Sequence, residues 1–577
     1  MPLIKNYSDL DKLRPLKRAE SILLDACRAG RPCTVGNGRL PDPLTASDDT
    51  TVRADILRYL ILGGCAELPV QGYGVELHGA HVTGQLDLSF ATGHGATRLM
   101  WCHFDRPLRA FQTTLGSLNL TGSHLPGLDA QGATIAGSLF LEEAQCSDKV
   151  TLYNAKIGRQ LTAANAILKG DDKYALDAHA ACIAGSVVLQ GAVTEADLNF
   201  FGAEVGHQVI LTGAQLNAGL KLALNAQDLT VRDDVMLDGV TAMGEVNLAG
   251  SDIGGRLILT GSTFETHTTY ALKLVRMCLR EGLVWKRVTL KSGRVSFTAA
   301  HAGEIEHDFA ADIDTWPTAE QFTLDGFTYD RIKGPSIPPS LYIKWLEKGT
   351  IAADNFFPQP FTQLAKVLRD RGHDRDARVI LAHREMLVRR NIRERLRIAP
   401  DGTWETAFRS LGRDMSNLRR LFFDLLLRRA VGYGYRPFRS MWMLGTLVLA
   451  AVVMAHLAWE EGSFVPASLS AQNSDSFRAL EGTPNPAAAW SLRPRDAAGQ
   501  RTGHVEGQDW TRFNAIAYGT DLVVPVIDLG QTSAWQPSAE RGPWGRVLWA
   551  ASFFLAVAGW VVTALGAAAI TGLIRRE

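Results

Sequence analysis

Cysteine is scarce in this chain. Seven occur among 577 residues, all between Cys27 and Cys278, and none in a Cys-x-x-Cys pair. That pattern excludes a disulfide framework and a zinc ribbon, and it fits a reducing compartment for the N-terminal part. An excess of either charge is also missing, because 60 Lys and Arg balance 60 Asp and Glu. The chain as a whole therefore does not present itself as a nucleic-acid binder, nor as an acidic β-helix that mimics DNA. Residues 1 to 20 are charged throughout and lack an apolar core, so no cleavable leader is expected. No Gly-x-Gly-x-x-Gly links a strand to a helix, and neither Gly-x-x-x-x-Gly-Lys-Ser/Thr nor a Gly-x-Ser-x-Gly elbow occurs. Without those phosphate cradles and nucleophile turns, no catalytic residue and no cofactor is expected.

Glycine, by contrast, is abundant and regularly placed. Gly116, Gly137 and Gly158 are twenty-one residues apart, and Gly185 and Gly206 repeat the interval. Each opens a similar phrase: Gly116-Ser-Leu118-Asn-Leu120, Gly137-Ser-Leu139-Phe-Leu141, Gly185-Ser-Val187-Val-Leu189 and Gly255-Arg-Leu257-Ile-Leu259. A half-step of eleven separates Gly244 from Gly255, and Gly244-Glu-Val246-Asn-Leu248 obeys the same rule. A fixed period of about twenty residues is the mark of a solenoid. Within each phrase Leu or Val alternates with a variable residue, which is strand periodicity. Residues 74–310 therefore read as a right-handed parallel β-helix of roughly eleven coils. Leu118, Leu139, Val187, Val246 and Leu257 would stack inward, with the glycines at sharp turns.

The rest of the chain divides around that block. Residues 1–73 read as a helical N-terminal cap built from 8–30 and 51–63. His301, Glu304, Glu306 and His307 lie close in sequence, but their spacing matches no metal motif, so a solvated coil edge and no metal centre are expected. Residues 311–400 combine an irregular segment with an αα-hairpin over 360–390, in which Leu364, Val367 and Leu368 face Ala377, Ile380 and Leu381. Residues 401–440 are basic. Arg419, Arg420, Arg428, Arg429, Arg436 and Arg439 edge an apolar stretch, the composition of a helix lying on anionic lipid.

Two uncharged runs follow, 441–459 and 547–574, each long enough to cross a bilayer as a helix. Arginines before the first and after the second predict that both termini are cytoplasmic and that the 460–546 loop is external. Ala430-Val431-Gly432-Tyr433-Gly434 has the wording of a potassium filter but precedes the first span, where a filter cannot work. Within the external loop, 513–530 is apolar yet broken by Asp521, Pro525 and Asp528. It reads either as a segment dipping into the bilayer or as a loop packed on the outer leaflet. With Tyr518, those three residues are the candidate pore or membrane-loop residues. Gly559, Gly566 and Gly572 supply a small face for helix packing.

The repeats from Gly84-Gln-Leu86-Asp-Leu88 to Gly261, the segment 358–378, and the tail with Tyr518, Asp521, Pro525, Asp528 and 559–576 together resemble a recurring bacterial arrangement. In it, pentapeptide-like β-helix repeats precede a short helical domain and two C-terminal membrane helices, and such proteins often carry the label membrane-associated oxidoreductase. The resemblance implies this architecture and residence in a bacterial inner membrane. It brings no catalytic residues, and no residue here supports redox chemistry. The expected role is a membrane-anchored cytoplasmic scaffold with lipids and a protein partner or a second copy as partners, and no nucleic acid. The alternatives are an oligomeric pore with a β-helix sensor and, behind it, an enzyme in the β-helix groove.

Overall fold

The computed structural model describes residues 13–395 and 438–571, apart from 312, 335–336, 353–354, 493–496, 500–506 and 508. The chain divides into two compact units between Asn391 and Ile392.

The first unit is a parallel β-solenoid of about ten turns. A coil is a square circuit of four short strands, for example Thr134–Ile135, Leu139–Phe140, Gln145–Cys146 and Val150–Thr151. The first two join a sheet of 20 strands and the other two a sheet of 19. Register lines the inward side chains into columns. One runs Leu118, Leu139, Leu161, Val187, Val209, Val235, Leu257 and Leu283. Val246 belongs to another column, on the opposite sheet, between Leu224 and Leu272. All of these are buried, and each fully buried Leu or Val stabilises by roughly 1.5–3 kcal/mol relative to exposure.

Coil length alternates. Val187 follows Leu161 by 26 residues, Val209 follows Val187 by 22, Val235 follows by 26, and Leu257 by 22. The longer coils carry their extra residues in the nineteen-strand sheet, between two strands near 170–173 and 266–269 and inside the single strand Gln215–Asn225 near 218–221. The repeat expected at twenty-one is therefore locally 48 residues, two coils long, and this is why the glycine phrases drift.

The glycines that open the phrases sit at bends between consecutive short strands, as expected, but most of them do so without a left-handed backbone. Gly137 and Gly185 lie in ordinary backbone, and a Cβ there would come within 2.8 Å of the Gly116 carbonyl oxygen and 2.6 Å of the Arg159 carbonyl oxygen. They are small because the coil below already occupies that space. The left-handed corners belong to a second series about eleven residues apart, including Gly191 (φ 65°) and Gly202 (φ 59°), and in other coils Asn154 and Asn165 (both φ 54°). Asn tolerates that conformation better than most side chains.

Both ends of the solenoid are closed. At the N-terminus, helix α1 (Arg18–Ala29) ends at Gly30 in the left-handed conformation, and α2 spans Ala54–Ile61. Thr51–Arg53, expected as helix, is a strand pairing with His81–Thr83, and Cys33–Thr34 pairs with Leu77–His78. The cap thus starts both sheets as well as covering them. At the other end the sheets run past 310, through Phe322–Thr323 and Thr328–Lys333. Helix α3 (Pro339–Thr350) closes an aromatic plug in which Trp285 stacks on Trp316 at 4.5 Å and Trp316 meets Trp345 at 5.4 Å.

The expected hairpin is present as α4 (Gln359–Asp370) and α5 (Asp374–Arg395), with all six predicted core residues buried. Its position explains it. Gln359 and Gln363 donate to the carbonyls of Phe327 and Tyr329, and Arg371 to that of Ile332, on the last strand. The hairpin occupies a sheet edge that would otherwise template pairing with another chain.

Candidate functional site

In the second unit the two long helices are α6 (Phe438–Glu460) and α8 (Pro543–Ile570). Only 17% and 28% of their most apolar windows are buried, too little for core helices of a water-soluble fold. The chain between them is an aromatic-rich subdomain. Trp459 stacks on Phe513 at 4.2 Å, Phe477 meets Trp490 at 5.5 Å, and strands Phe464–Pro466 and Trp535–Pro537 pair antiparallel.

From this subdomain α7 (Ala515–Val523) runs back between the two long helices, capped by the Asn514 side chain, which accepts from the Ile516 and Ala517 amides. Two glycines admit it, and a third lets the two long helices close on each other. A Cβ on Gly519 would lie 2.7 Å from the Val452 amide nitrogen, one on Gly559 would collide with the Val523 carbonyl, and one on Gly566 would lie 2.7 Å from Ser440 Oγ. Gly559 thus packs α8 on α7, and Gly566 packs α8 on α6, within one chain. Gly572 lies outside the described residues, as do Arg419, Arg420, Arg428, Arg429 and Arg436; Arg439 is exposed at the start of α6.

The predicted membrane-loop residues fall on α7 and the turn that follows it. Tyr518 is buried against Phe464 and Phe513. Asp521 accepts four hydrogen bonds of 2.9 Å, from the amides of Leu529, Gln531 and Thr532 and from Thr532 Oγ1. Asp528 accepts from the Gly530 amide at 2.9 Å and is exposed beside the exposed Val526, Ile527 and Leu529. Pro525 sits half-buried in the same turn. Asp521 therefore clamps the turn that follows α7, while Asp528 stands at its tip.

On the solenoid, the twenty-strand sheet carries a shallow depression of about 570 Å³ spanning several coils, with Cys182, Glu204, Thr230, Asp252, Arg232 and Arg280 along it. Arg280 donates to both oxygens of Asp252, at 3.2 and 2.7 Å. Cys182 is an exposed free thiol. The surface is long, open and of mixed charge.

The residues weighed as a metal motif near 301 do not converge. His301–Glu306 is a strand. His301 bonds Thr328, Glu304 pairs with Arg331, Glu306 pairs with Lys286 and Lys333, and buried His307 bonds the Trp285 carbonyl.

A different set does converge. His81, His103 and His124 occupy register-matched positions on three successive coils of the nineteen-strand sheet. His81 Nε2 and Asp105 Oδ1 are 2.6 Å apart, and the His103 and His124 rings stack at 4.5 Å with planes 8° apart. Sequence reasoning missed this group because it compared neighbours in sequence. The available signal was the coil interval itself, 22 residues from His81 to His103 and 21 to His124.

No family model matches the chain, and no curated protein or solved structure matches it either.

Proposed function

We propose that the protein is a scaffold anchored in a bacterial inner membrane, presenting its β-solenoid to a protein partner in the cytoplasm. The observation that carries the reading is the exposed apolar surface of the two long helices. Phe438, Met441, Trp442, Leu449 and Val453 on α6, and Trp549, Phe553, Phe554, Val557 and Trp560 on α8, are all exposed. Residues of that kind need lipid around them, whereas the solenoid confines its apolar residues almost wholly to inward columns. The arginines before α6 and after the second apolar run favour cytoplasmic termini, and the repeat phrases support kinship with the pentapeptide-like membrane proteins they resemble. The open face along Cys182 and Asp252 supplies the docking surface.

One observation favours a second reading, an oligomeric pore. Helix α7 lies between two spans and carries Asp528 to the exposed tip of its turn, the outline of a channel subunit. The test is made on full-length protein. The scaffold reading expects it in the membrane pellet after carbonate washing and expects reconstituted liposomes to stay tight to cations. Recovery in the supernatant removes the anchor, and a cation flux abolished by Asp528→Ala replaces the scaffold with the pore.

A further inference from the structure

The histidine ladder at the N-terminal end of the solenoid has the components of a metal site. One nitrogen from each of His81 and His103 and one carboxylate oxygen of Asp105 lie within 4.8 Å of one another. A tetrahedral Zn²⁺ shell, with bonds near 2.0–2.2 Å, sets its donors roughly 3.3 Å apart. Closing the three donors onto one ion therefore asks each to move by less than about 1 Å.

The hydrogen bonding around these side chains is incomplete in a way that packing does not explain. An ionised carboxylate can only accept, so the His81–Asp105 hydrogen bond assigns the His81 proton to Nε2. That leaves a bare lone pair on Nδ1. His81 is 8% exposed, and its Nδ1 has no hydrogen-bond partner; nor do the buried Nδ1 atoms of His103 and His124. Buried polar atoms are rarely left unpaired, and each costs about 1–3 kcal/mol when it is. An ion shared with Asp105 replaces the proton on His81 Nε2, so the Nδ1 orphans of His81 and His124 stay outside its shell.

The surroundings also hold the ligand rings in place. His124 stacks flat on His103 and bonds Ser147 Oγ at 3.0 Å, fixing the orientation of the His103 ring from the next coil. Holding a ligand ring from behind is how outer residues tune metal sites. The Asp105 side chain is 38% exposed, so the remaining coordination position is open to water.

We propose that His81, His103 and Asp105 bind one divalent transition-metal ion of the zinc class, with His124 as the positioning residue. Two imidazoles and a carboxylate suit such an ion better than Mg²⁺ or Ca²⁺, which prefer oxygen. The ligands come from successive coils, so the ion staples the first turns of the solenoid to each other.

The test uses full-length protein in detergent, carrying no polyhistidine tag and stripped with a chelator. Titration with Zn²⁺ is expected to fill one site per chain and to raise the melting temperature, because an ion that binds only the folded state stabilises it. Co²⁺ is expected to give visible absorption bands of a low-coordinate site, displaced by Zn²⁺. His103→Gln and Asp105→Asn should weaken uptake at least about tenfold, while His207→Gln, whose exposed ring pairs with Asp233 on a distant coil, should leave it intact. Asp105 is the more exposed ligand, so D105N gives the answer if H103Q does not fold. A folded parent that takes up neither ion overturns the proposal, as does undiminished uptake by folded D105N.

Discussion

Among single residues, Glu20 shows how a buried charge is held. It is fully buried on α1 and accepts from the Lys17 amide, the Arg53 amide, and Arg53 Nε and Nη2 at 2.8 and 2.7 Å. Burial raises its pKa, but the hydrogen bonds from Arg53 and Lys17 outweigh it and hold the carboxyl below its usual value near 4.5. Glu20→Gln removes one partner of a buried pair and should cost about 3 kcal/mol in chemical denaturation, near the low end because Arg53 is partly exposed. The folded pKa lies below the unfolded one. The contribution of Glu20 is therefore complete above the usual carboxyl range and lost as pH falls through the lowered value, so the gap between parent and variant should close only in acid. Glycines separate by mechanism in the same way. Gly137→Ala drives a methyl into the Gly116 carbonyl and should cost about 1–3 kcal/mol. Gly213→Ala meets open space at φ 69° and should cost only the left-handed strain, about 1–2 kcal/mol. An unchanged denaturation midpoint for Gly137→Ala would mean that the coils are not in the spacing described.

At the scale of elements, each inward column is a continuous apolar stack, and one charge in it has no partner to find. Leu139→Asp should cost several kcal/mol, read as a fall in denaturation midpoint; a variant that melts like the parent would mean Leu139 does not face inward. The hairpin α4–α5 acts differently, by occupying hydrogen-bonding groups. Replacing Gln359, Gln363 and Arg371 together by Ala frees the carbonyls of Phe327, Tyr329 and Ile332. The expected result is self-association through the exposed strand, seen by light scattering in detergent, with the spectrum of the solenoid retained. Unchanged mass would mean that the helices cover the edge by bulk alone.

For the molecule as a whole, the proposed anchoring turns on which side of the membrane each part occupies. Cys182 is exposed, whereas burial pushes the Cys102 and Cys146 thiols up to about 12, so these two should stay unreactive at neutral pH. In intact cells an impermeant maleimide should therefore leave the parent unlabelled but label Gly482→Cys, placed in open space in the loop after α6. Permeabilised cells should gain labelling at Cys182. Labelling of Cys182 in intact cells would invert the topology.

The amino-acid sequence alone determined the class of the fold, because Leu and Val phrases and the glycines that open them recur at intervals the chain itself displays. It also determined the two apolar helices, whose length and lack of charge are local properties, and it located the six buried positions of α4 and α5 by helical spacing. The tertiary structure decided the rest. Only stacked coils show that phrase-opening glycines make room for a neighbouring carbonyl, that three inserts recur every second coil, and that Thr51–Arg53 is a strand. The wedge of α7 between α6 and α8 depends on which glycines meet, and Asp521 became a clamp because its turn folds back upon it. His81, His103 and Asp105 converge for the same reason. Coil register sets residues 22 apart in sequence side by side, and proximity of that kind belongs to the solenoid, not to the local sequence.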